Sequence, residues 1–329
     1  MSPRGEVTRY AIVGCGLIGR KRAAALLPGA LVACADVALD RARALAGDAV
    51  AASDWREVVT RDDVDAVIVA TTNDRLAEIS CAAIEAGKHV LVEKPAGRGV
   101  AEVDGIIAAQ RRTNVRVRVG FNHRQHPALL KAAELHAAGA LGPIMFVRGR
   151  YGHGGRPGYE REWRADPKLA GGGELIDQGV HLIDLARLFV GDVARVQGYA
   201  KTYYWDMPVD DNAFMLLTAR GGETALLHVS CTEWKNLFSF EIYGRHGKIS
   251  IDGLGGSYGL ERLAFYRMLP EMGPPETTIW EYPRGDESWA REVRELEADI
   301  AQEREPDAGL GDARAALEVV EAIYRQSSA

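Results

Sequence analysis

The stretch Tyr10-Ala-Ile-Val-Gly-Cys-Gly-Leu-Ile-Gly19 decides how the first half of the chain is read. Tyr10 to Val13 has the apolar run of a short buried strand, and Arg20 to Leu27 reads as part of the helix that follows. Between them stands Gly14-Cys15-Gly16-Leu17-Ile18-Gly19, a G-x-G-x-x-G in the strand–turn–helix setting that gives the pattern its meaning as a dinucleotide fingerprint. Gly14 allows the tight turn, Gly16 lets a pyrophosphate approach the backbone, and Gly19 lets helix and strand pack closely. The freed amides and the positive dipole end of the helix then hold the phosphates. A second apolar strand, Leu31-Val-Ala-Cys-Ala35, ends in Asp36, at the spacing where a carboxylate accepts hydrogen bonds from the adenosine ribose. A carboxylate there repels a 2′-phosphate, which favours NAD over NADP. The other reading of Asp36 is a turn or cap residue after a strand.

Outward from this motif, strands and helices alternate. Helices are expected over Asp40–Ala46, Asp54–Val59 (capped by Ser53), Arg75–Ala86 and Val100–Arg112. Strands are expected over Asp65–Ala70, His89–Val92 and Val115–Gly120. Their continuous apolar character suits a parallel sheet covered on both faces. The βαβ alternation predicts a doubly wound sheet, with ligands beyond the carboxyl ends of its strands. Thr71-Thr72-Asn73, Glu93-Lys94-Pro95 and Phe121-Asn122-His123 lie at those ends. A lysine in such a crevice loses hydration and can share a proton with a substrate hydroxyl; the alternative for Lys94 is a solvated turn.

Beyond Phe121 the pattern changes. After a helix near Pro127–Ala138, long strand-like runs and turn signals predict a large open, mostly antiparallel sheet, closed by helices at Ser288–Arg304 and Asp312–Arg325. The domain boundary is placed at residue 123, giving 1–123 and 124–329. Two features interrupt the sheet. The loop Tyr151–Gly173 is rich in glycine and carries His153, Arg156, Tyr159, Trp163 and Arg164, groups that stack on a sugar face or pin polar atoms; the alternative is a solvated flap. The segment from Gly173 to Phe189 reads as a helix on which Asp177 and His181, four apart, share a face. A His with a carboxylate one turn away suits acid–base work on an alcohol. A metal reading of Asp177, His181 and Asp184 is set aside in favour of no metal, since three ligands on one short helix rarely close a site. A core histidine is the remaining alternative.

The 329 residues suit two domains, and a 47% apolar fraction is ample for a core. A net charge of −6 gives no general attraction to nucleic acid or anionic membranes. Met1–Arg9 has no apolar core and does not read as a signal peptide. Cys15, Cys34, Cys81 and Cys231 are far apart and form no metal-type pair; a reducing cytoplasm is expected.

At this point the sequence resembles the glucose-fructose oxidoreductase, inositol dehydrogenase and rhizopine catabolism (GFO/IDH/MocA) family. The resemblance rests on Gly14–Gly19, Ala70–Asn73, Glu93-Lys94-Pro95, Gly120–Arg124 and the run from Gly171 through Asp177 and His181 to Asp184. It implies an N-terminal Rossmann domain and a C-terminal α/β domain with an open sheet that forms homodimers or homotetramers. It implies a catalytic set of Lys94, Asp177 and His181, hydride transfer between NAD and a secondary hydroxyl of a sugar, cyclitol or nucleotide-linked sugar, and a cis Lys94–Pro95 bond. Cofactor contacts would come from Gly14, Gly16, Leu17, Ile18, Gly19, Asp36, Thr71, Thr72, Asn73, Glu93, Lys94, Asn122, Trp163 and Arg164. Substrate contacts would come from Lys94, Asn122, His123, His153, Arg156, Tyr159, Trp163, Asp177 and His181. The family also contains glycosidases that retain NAD and a non-catalytic regulator, and these stand as alternatives.

Overall fold

The computed structural model describes residues 7–327, so the reading of Met1–Arg9 falls largely outside the described residues. The chain forms two compact units. The first holds the residues up to Phe121 with Lys168–Gly171 and Trp289–Arg314; the second holds Asn122–Pro167, Gly172–Ser288 and the residues from Ala315 on. The boundary expected at residue 123 lies close to the end of the first unit's continuous part. The return of 289–314 to that unit departs from the simple division at 123, because an amphipathic helix does not state which core its apolar stripe joins.

In the first unit β1 (Tyr10–Val13), β2 (Leu31–Ala35), β3 (Val50–Ala52), β4 (Ala66–Val69), β5 (His89–Val92) and β6 (Val117–Val119) form a six-stranded sheet of order β3-β2-β1-β4-β5-β6. Every pairing is parallel. The strands are joined through α1 (Leu17–Ala24), α2 (Leu39–Ala46), α3 (Arg56–Val59), α4 (Asn73–Glu85) and α5 (Val100–Gln110). β1 and β4 are buried throughout, as strands covered on both faces must be. Two details differ from expectation. β3 is an additional edge strand too short to show a period. At α3 it is Asp54, not Ser53, whose Oδ1 accepts the Arg56 amide at 3.0 Å.

The second unit opens with α6 (Pro127–Ala137) and β7 (Ile144–Gly152). The chain then makes the short α7 (Pro167–Ala170), a π-helical turn over Leu175–Gly179, and α8 (Val180–Val190). Seven strands follow: β8 (Val193–Lys201), β9 (Asn212–Ala219), β10 (Thr224–Ser230), β11 (Leu237–Gly244), β12 (Gly247–Asp252), β13 (Glu261–Arg267) and β14 (Glu276–Tyr282). With β7 they make an eight-stranded sheet of order β14-β13-β12-β11-β7-β10-β9-β8. It is not purely antiparallel, because β7 and β10 run parallel from Phe146↔Thr224 to Gly152↔Ser230. The chain between them includes α8, and a crossover of that length is what a parallel neighbour requires. β11 alternates buried and half-buried positions, with Phe238, Phe240 and Ile242 on the covered face. The chain ends in α9 (Ser288–Ala301) and α10 (Leu310–Ser327).

The first unit's core joins Tyr10, Ile12, Cys34, Ile68 and Leu91 of the sheet to Val293, Leu296 and Ile300 of α9. Within it lies a wholly buried charge cluster. Arg22 of α1 sits 2.6 Å from Glu93, at the end of β5, and 2.6 Å from Glu292 of α9. The Trp289 ring covers the guanidinium, with its centroid 4.6 Å away. One cation faces two carboxylates. Burial, with repulsion from Glu93, raises the Glu292 carboxyl to about 7 against the pull of Arg22.

The folded state therefore keeps a proton that the unfolded chain releases near the group's ordinary value of 4.5. Stability from this group is complete below that value and is lost as pH rises through about 7. Urea melts from pH 4 to 8 should show a declining contribution in this window that Glu292→Gln removes; equal slopes in both proteins would contradict the assignment. Arg22→Met should cost roughly 3–5 kcal/mol, because it strands two buried carboxylates.

Candidate functional site

The first unit presents a cradle at the carboxyl ends of β1 and β2. Gly14 has φ +94°, and a Cβ there would lie 2.3 Å from the Ala70 carbonyl oxygen. A Cβ on Gly19 would lie 1.9 Å from the Gly14 carbonyl oxygen. A Cβ on Gly16, by contrast, would meet nothing within 4 Å. The first and third glycines thus serve the fold, and the second faces open space at the start of α1. Asp36 accepts the Cys15 amide at 2.8 Å and the Ala38 amide at 2.9 Å. The carboxylate is therefore both a turn residue and a fixture of the glycine loop, and its remaining lone pairs suit two ribose hydroxyls. Leu17 is exposed and Ile18 half-buried. This donor set and the space over Gly16 fit a dinucleotide.

The other strand ends differ in character. Asn73 is buried, and its Nδ2 donates to the Ala170 carbonyl at 2.9 Å. Thr72 Oγ1 donates to Asp74 at 2.6 Å, and Thr71 Oγ1 to the Thr72 carbonyl at 3.2 Å. Glu93 is taken up by Arg22. Lys94 follows it, half-buried at the end of β5, with a cis bond to Pro95.

In the second unit the wider π turn carries Asp177, and α8 begins just before His181; both side chains are nearly buried. Such turns recur at functional sites because they re-aim side chains within a helix. Arg164 Nε donates to Asp177 Oδ2 at 3.0 Å, and the Arg164 guanidinium lies 4.6 Å from the Trp163 ring centroid. The pair expected to reach a ligand thus also orients the acid. The rings of His181 and His123 stack at 3.8 Å and 21°. Tyr151 meets His123 edge-on at 4.9 Å. Asn122 Nδ2 donates to Ser288 Oγ at 2.9 Å. His153 lies edge-on to Tyr159 at 5.4 Å, and burial lowers its pKa. Arg156 is the outlier: it is largely exposed and paired with Glu162 at 2.7 Å.

Several neighbours of these residues carry no clear sequence signal. Glu174 is buried, with Oε1 3.7 Å from His153 Nε2. Tyr151 and Tyr258 meet at 5.1 Å, and burial raises both phenols. Asp210 holds the π turn: it accepts the amides of Gly173 at 3.0 Å and Leu175 at 2.8 Å, and the Tyr324 hydroxyl at 2.8 Å. A Cβ on Gly173 would lie 1.9 Å from the Asp210 carbonyl oxygen, which explains one of the three glycines. Among the described residues no group of three or more His, Cys, Asp or Glu is arranged to hold a metal ion. No helix among them is long and apolar enough to cross a membrane.

Residues 8–121 match the NAD-binding Rossmann fold of an oxidoreductase family, and residues 129–250 match the GFO/IDH/MocA C-terminal domain. Levoglucosan dehydrogenase of Pseudarthrobacter phenanthrenivorans is 37% identical over 52% of this chain, a match spanning 45% of that protein. A dTDP-3,4-didehydro-2,6-dideoxy-alpha-D-glucose 3-reductase of Actinomadura kijaniata is 30% identical over 67% of each chain. Among solved structures, levoglucosan dehydrogenase in complex with NADH and L-sorbose superposes with a TM-score of 0.85 at 25% identity, covering 97% of both chains.

The glycine geometry separates fold from binding. Gly16→Ala should leave stability within about 0.5 kcal/mol of wild type, yet weaken NAD sharply, because its methyl fills the open space. Gly19→Ala should also lower stability by roughly 1–3 kcal/mol through overpacking. Thermal melts and fluorescence titration with NAD check both. Wild-type NAD affinity in Gly16→Ala would remove the cradle assignment.

Proposed function

The chain belongs to the GFO/IDH/MocA oxidoreductase family, and on that premise we propose that it is an NAD-dependent dehydrogenase of a sugar or cyclitol, acting on a secondary hydroxyl and, in reverse, on the ketone. The observation that carries the reading is a buried acid and a buried histidine four residues apart, Asp177 on the π turn and His181 at the start of α8, with Arg164 on the acid. Oxidation of an alcohol needs a base for the hydroxyl proton, donors for the developing negative oxygen and an acceptor for hydride. The nicotinamide, when bound, supplies the hydride acceptor. His181 takes the proton. Lys94 hydrogen-bonds the reacting oxygen and offsets its growing charge. Asp177 orients His181 or a neighbouring substrate hydroxyl. His153, Tyr159 and Glu174 add polar groups that suit several hydroxyls. Asp36 supports NAD over NADP, because its charge opposes a 2′-phosphate.

The test is NADH absorbance with purified protein and a panel of sugars, anhydrosugars, inositols and aminocyclitols, with NADP in parallel. Turnover is expected with NAD on one of these classes, and silence across the panel with intact NAD binding would overturn the proposal. Lys94→Ala should lose most turnover, on the order of a hundredfold or more, with NAD affinity nearly unchanged. Asp36→Ala should weaken NAD and narrow its advantage over NADP; an unaltered preference would remove that role.

The same reading includes a homo-oligomer through the open sheet. Leu216 of β9 and Leu226 of β10 face each other across the strands, and both are exposed, as are Tyr199 and Met145. An apolar sheet face of this kind suits a second copy. Sedimentation velocity should find dimers or tetramers that Leu216→Glu with Leu226→Glu dissociates, and a monomeric wild type would exclude the assembly.

A further inference from the structure

Beside the second unit's candidate site stands a group of large aromatic rings that the mechanism does not use. Trp234 is 68% exposed, Tyr204 58% and Tyr203 55%. Isolated exposed rings are common, but Tyr204 and Trp234 are in contact. Tyr204 meets Trp234 at 4.8 Å and 87°, and Trp205 at 5.1 Å and 85°.

The shelf they form is rigid. The wholly buried carboxylate of Asp211 accepts three consecutive amides, those of Tyr203 at 2.9 Å, Tyr204 at 2.7 Å and Trp205 at 3.1 Å. The Trp205 indole donates to the Cys231 carbonyl at 3.0 Å and packs in a small core with Tyr159, Met207 and Val209. Trp234 itself has φ +56°, a conformation that a bulky residue adopts only when its surroundings enforce it. Strain and exposure are thus combined at one tryptophan, and neither serves the core.

The shelf adjoins the side chains of the candidate site. Tyr159 links Trp205, at 5.6 Å, to His153, at 5.4 Å. The amide of Glu233, the residue before Trp234, donates to the His153 carbonyl at 3.0 Å. His153 in turn faces Glu174, three residues before Asp177. Trp234 also lies against the residue after His153, since a Cβ on Gly154 would be 2.8 Å from its backbone. Flat, amphipathic, pre-fixed rings beside such a site suit the apolar face of a ring that carries hydroxyls around its edge.

We propose that Trp234 and Tyr204 form a second sugar subsite, so that the chain takes a glycoside whose terminal sugar enters the candidate site and whose next ring stacks on this shelf. The sugar class of the ligand rests on the dehydrogenase reading above; the existence of the subsite rests on the shelf. Adjacency to the candidate site favours a linked ring over a second protein copy.

The experiment is calorimetric binding of glucose, xylose, cellobiose, maltose and xylobiose to the protein with NADH present. Trp234→Asn is the main variant, since asparagine tolerates the left-handed backbone and should keep the fold; Trp234→Ala and Tyr204→Ala accompany it. At least one disaccharide should bind wild type roughly tenfold tighter than its own monosaccharide. Both Trp234 variants should lose that advantage while monosaccharide affinity changes less than about twofold. The absence of any disaccharide advantage, or its survival in both variants, overturns the subsite. A changed sedimentation coefficient in Trp234→Asn would assign the ring to a contact between copies and overturn it too. Because binding is read without turnover, a protein that oxidises monosaccharides but shows no disaccharide advantage loses only the subsite, and one that binds disaccharides without oxidising any sugar loses only the dehydrogenase reading.

Discussion

The first unit depends on the burial of Arg22. Taking a guanidinium out of water is costly unless carboxylates meet it, and here two do, at 2.6 Å each. The consequence is positional. Glu93 comes from the end of β5, Glu292 from α9 and Arg22 from α1, so one cation fixes the helix behind the glycine loop against two other elements. Even Gly120 is conscripted, since a Cβ there would lie 2.9 Å from the Arg22 guanidinium and 3.0 Å from the Glu93 carboxylate. Lys94 inherits this order. Its backbone follows a residue that cannot move without leaving a charge unpaired in the core.

The second unit solves the matching problem with a different group. The π turn that carries Asp177 starts from Gly173, whose amide, with that of Leu175, ends on Asp210. Burial raises the Asp210 carboxyl, and the hydrogen bonds from Leu175, Tyr324 and Gly173 oppose that shift. The bond from Tyr324 comes from near the end of α10. In both units, then, a buried carboxylate bound from a distant part of the chain fixes the residues that precede the candidate site residues.

This division explains what was legible in the sequence. The glycine spacing and the apolar parallel strands are local patterns, and each sits where its period places it. Asp36 was legible as an acid after β2, but its bond to the Cys15 amide was not, because that depends on two strand ends lying side by side. Glu93 stood in a motif and read as a ligand-side residue, whereas its partner is seventy-one positions earlier in the chain. The π turn was hidden for a subtler reason. A single residue of extra width in a helix leaves the apolar period almost intact, so Asp177 and His181 still looked like an ordinary pair one turn apart. Glu174 gave no signal because its neighbour His153 lies twenty-one positions earlier in the chain. The mostly antiparallel character of the second sheet was legible, but which pair runs parallel was not, since antiparallel and parallel neighbours of β7 carry the same alternation.

Charge balance finally bears on the class of ligand. The second unit carries several cations near its candidate site, among them Arg124, Arg156 and Arg164. In the structure each is met by a carboxylate: Arg124 by Asp184 at 2.5 Å, Arg156 by Glu162 at 2.7 Å and Arg164 by Asp177 at 3.0 Å. His126 is likewise 3.0 Å from Glu261. An incoming phosphate or carboxylate would have to displace one of these acids or face Glu174 and Asp177 directly, and displacing a buried partner strands a charge. A neutral ligand with many hydroxyls meets no such penalty, because hydroxyls donate to the acids and accept from the arginine and histidines without breaking a pair. Arg124, Arg156 and Arg164 thus bring no unmatched positive charge to the second unit.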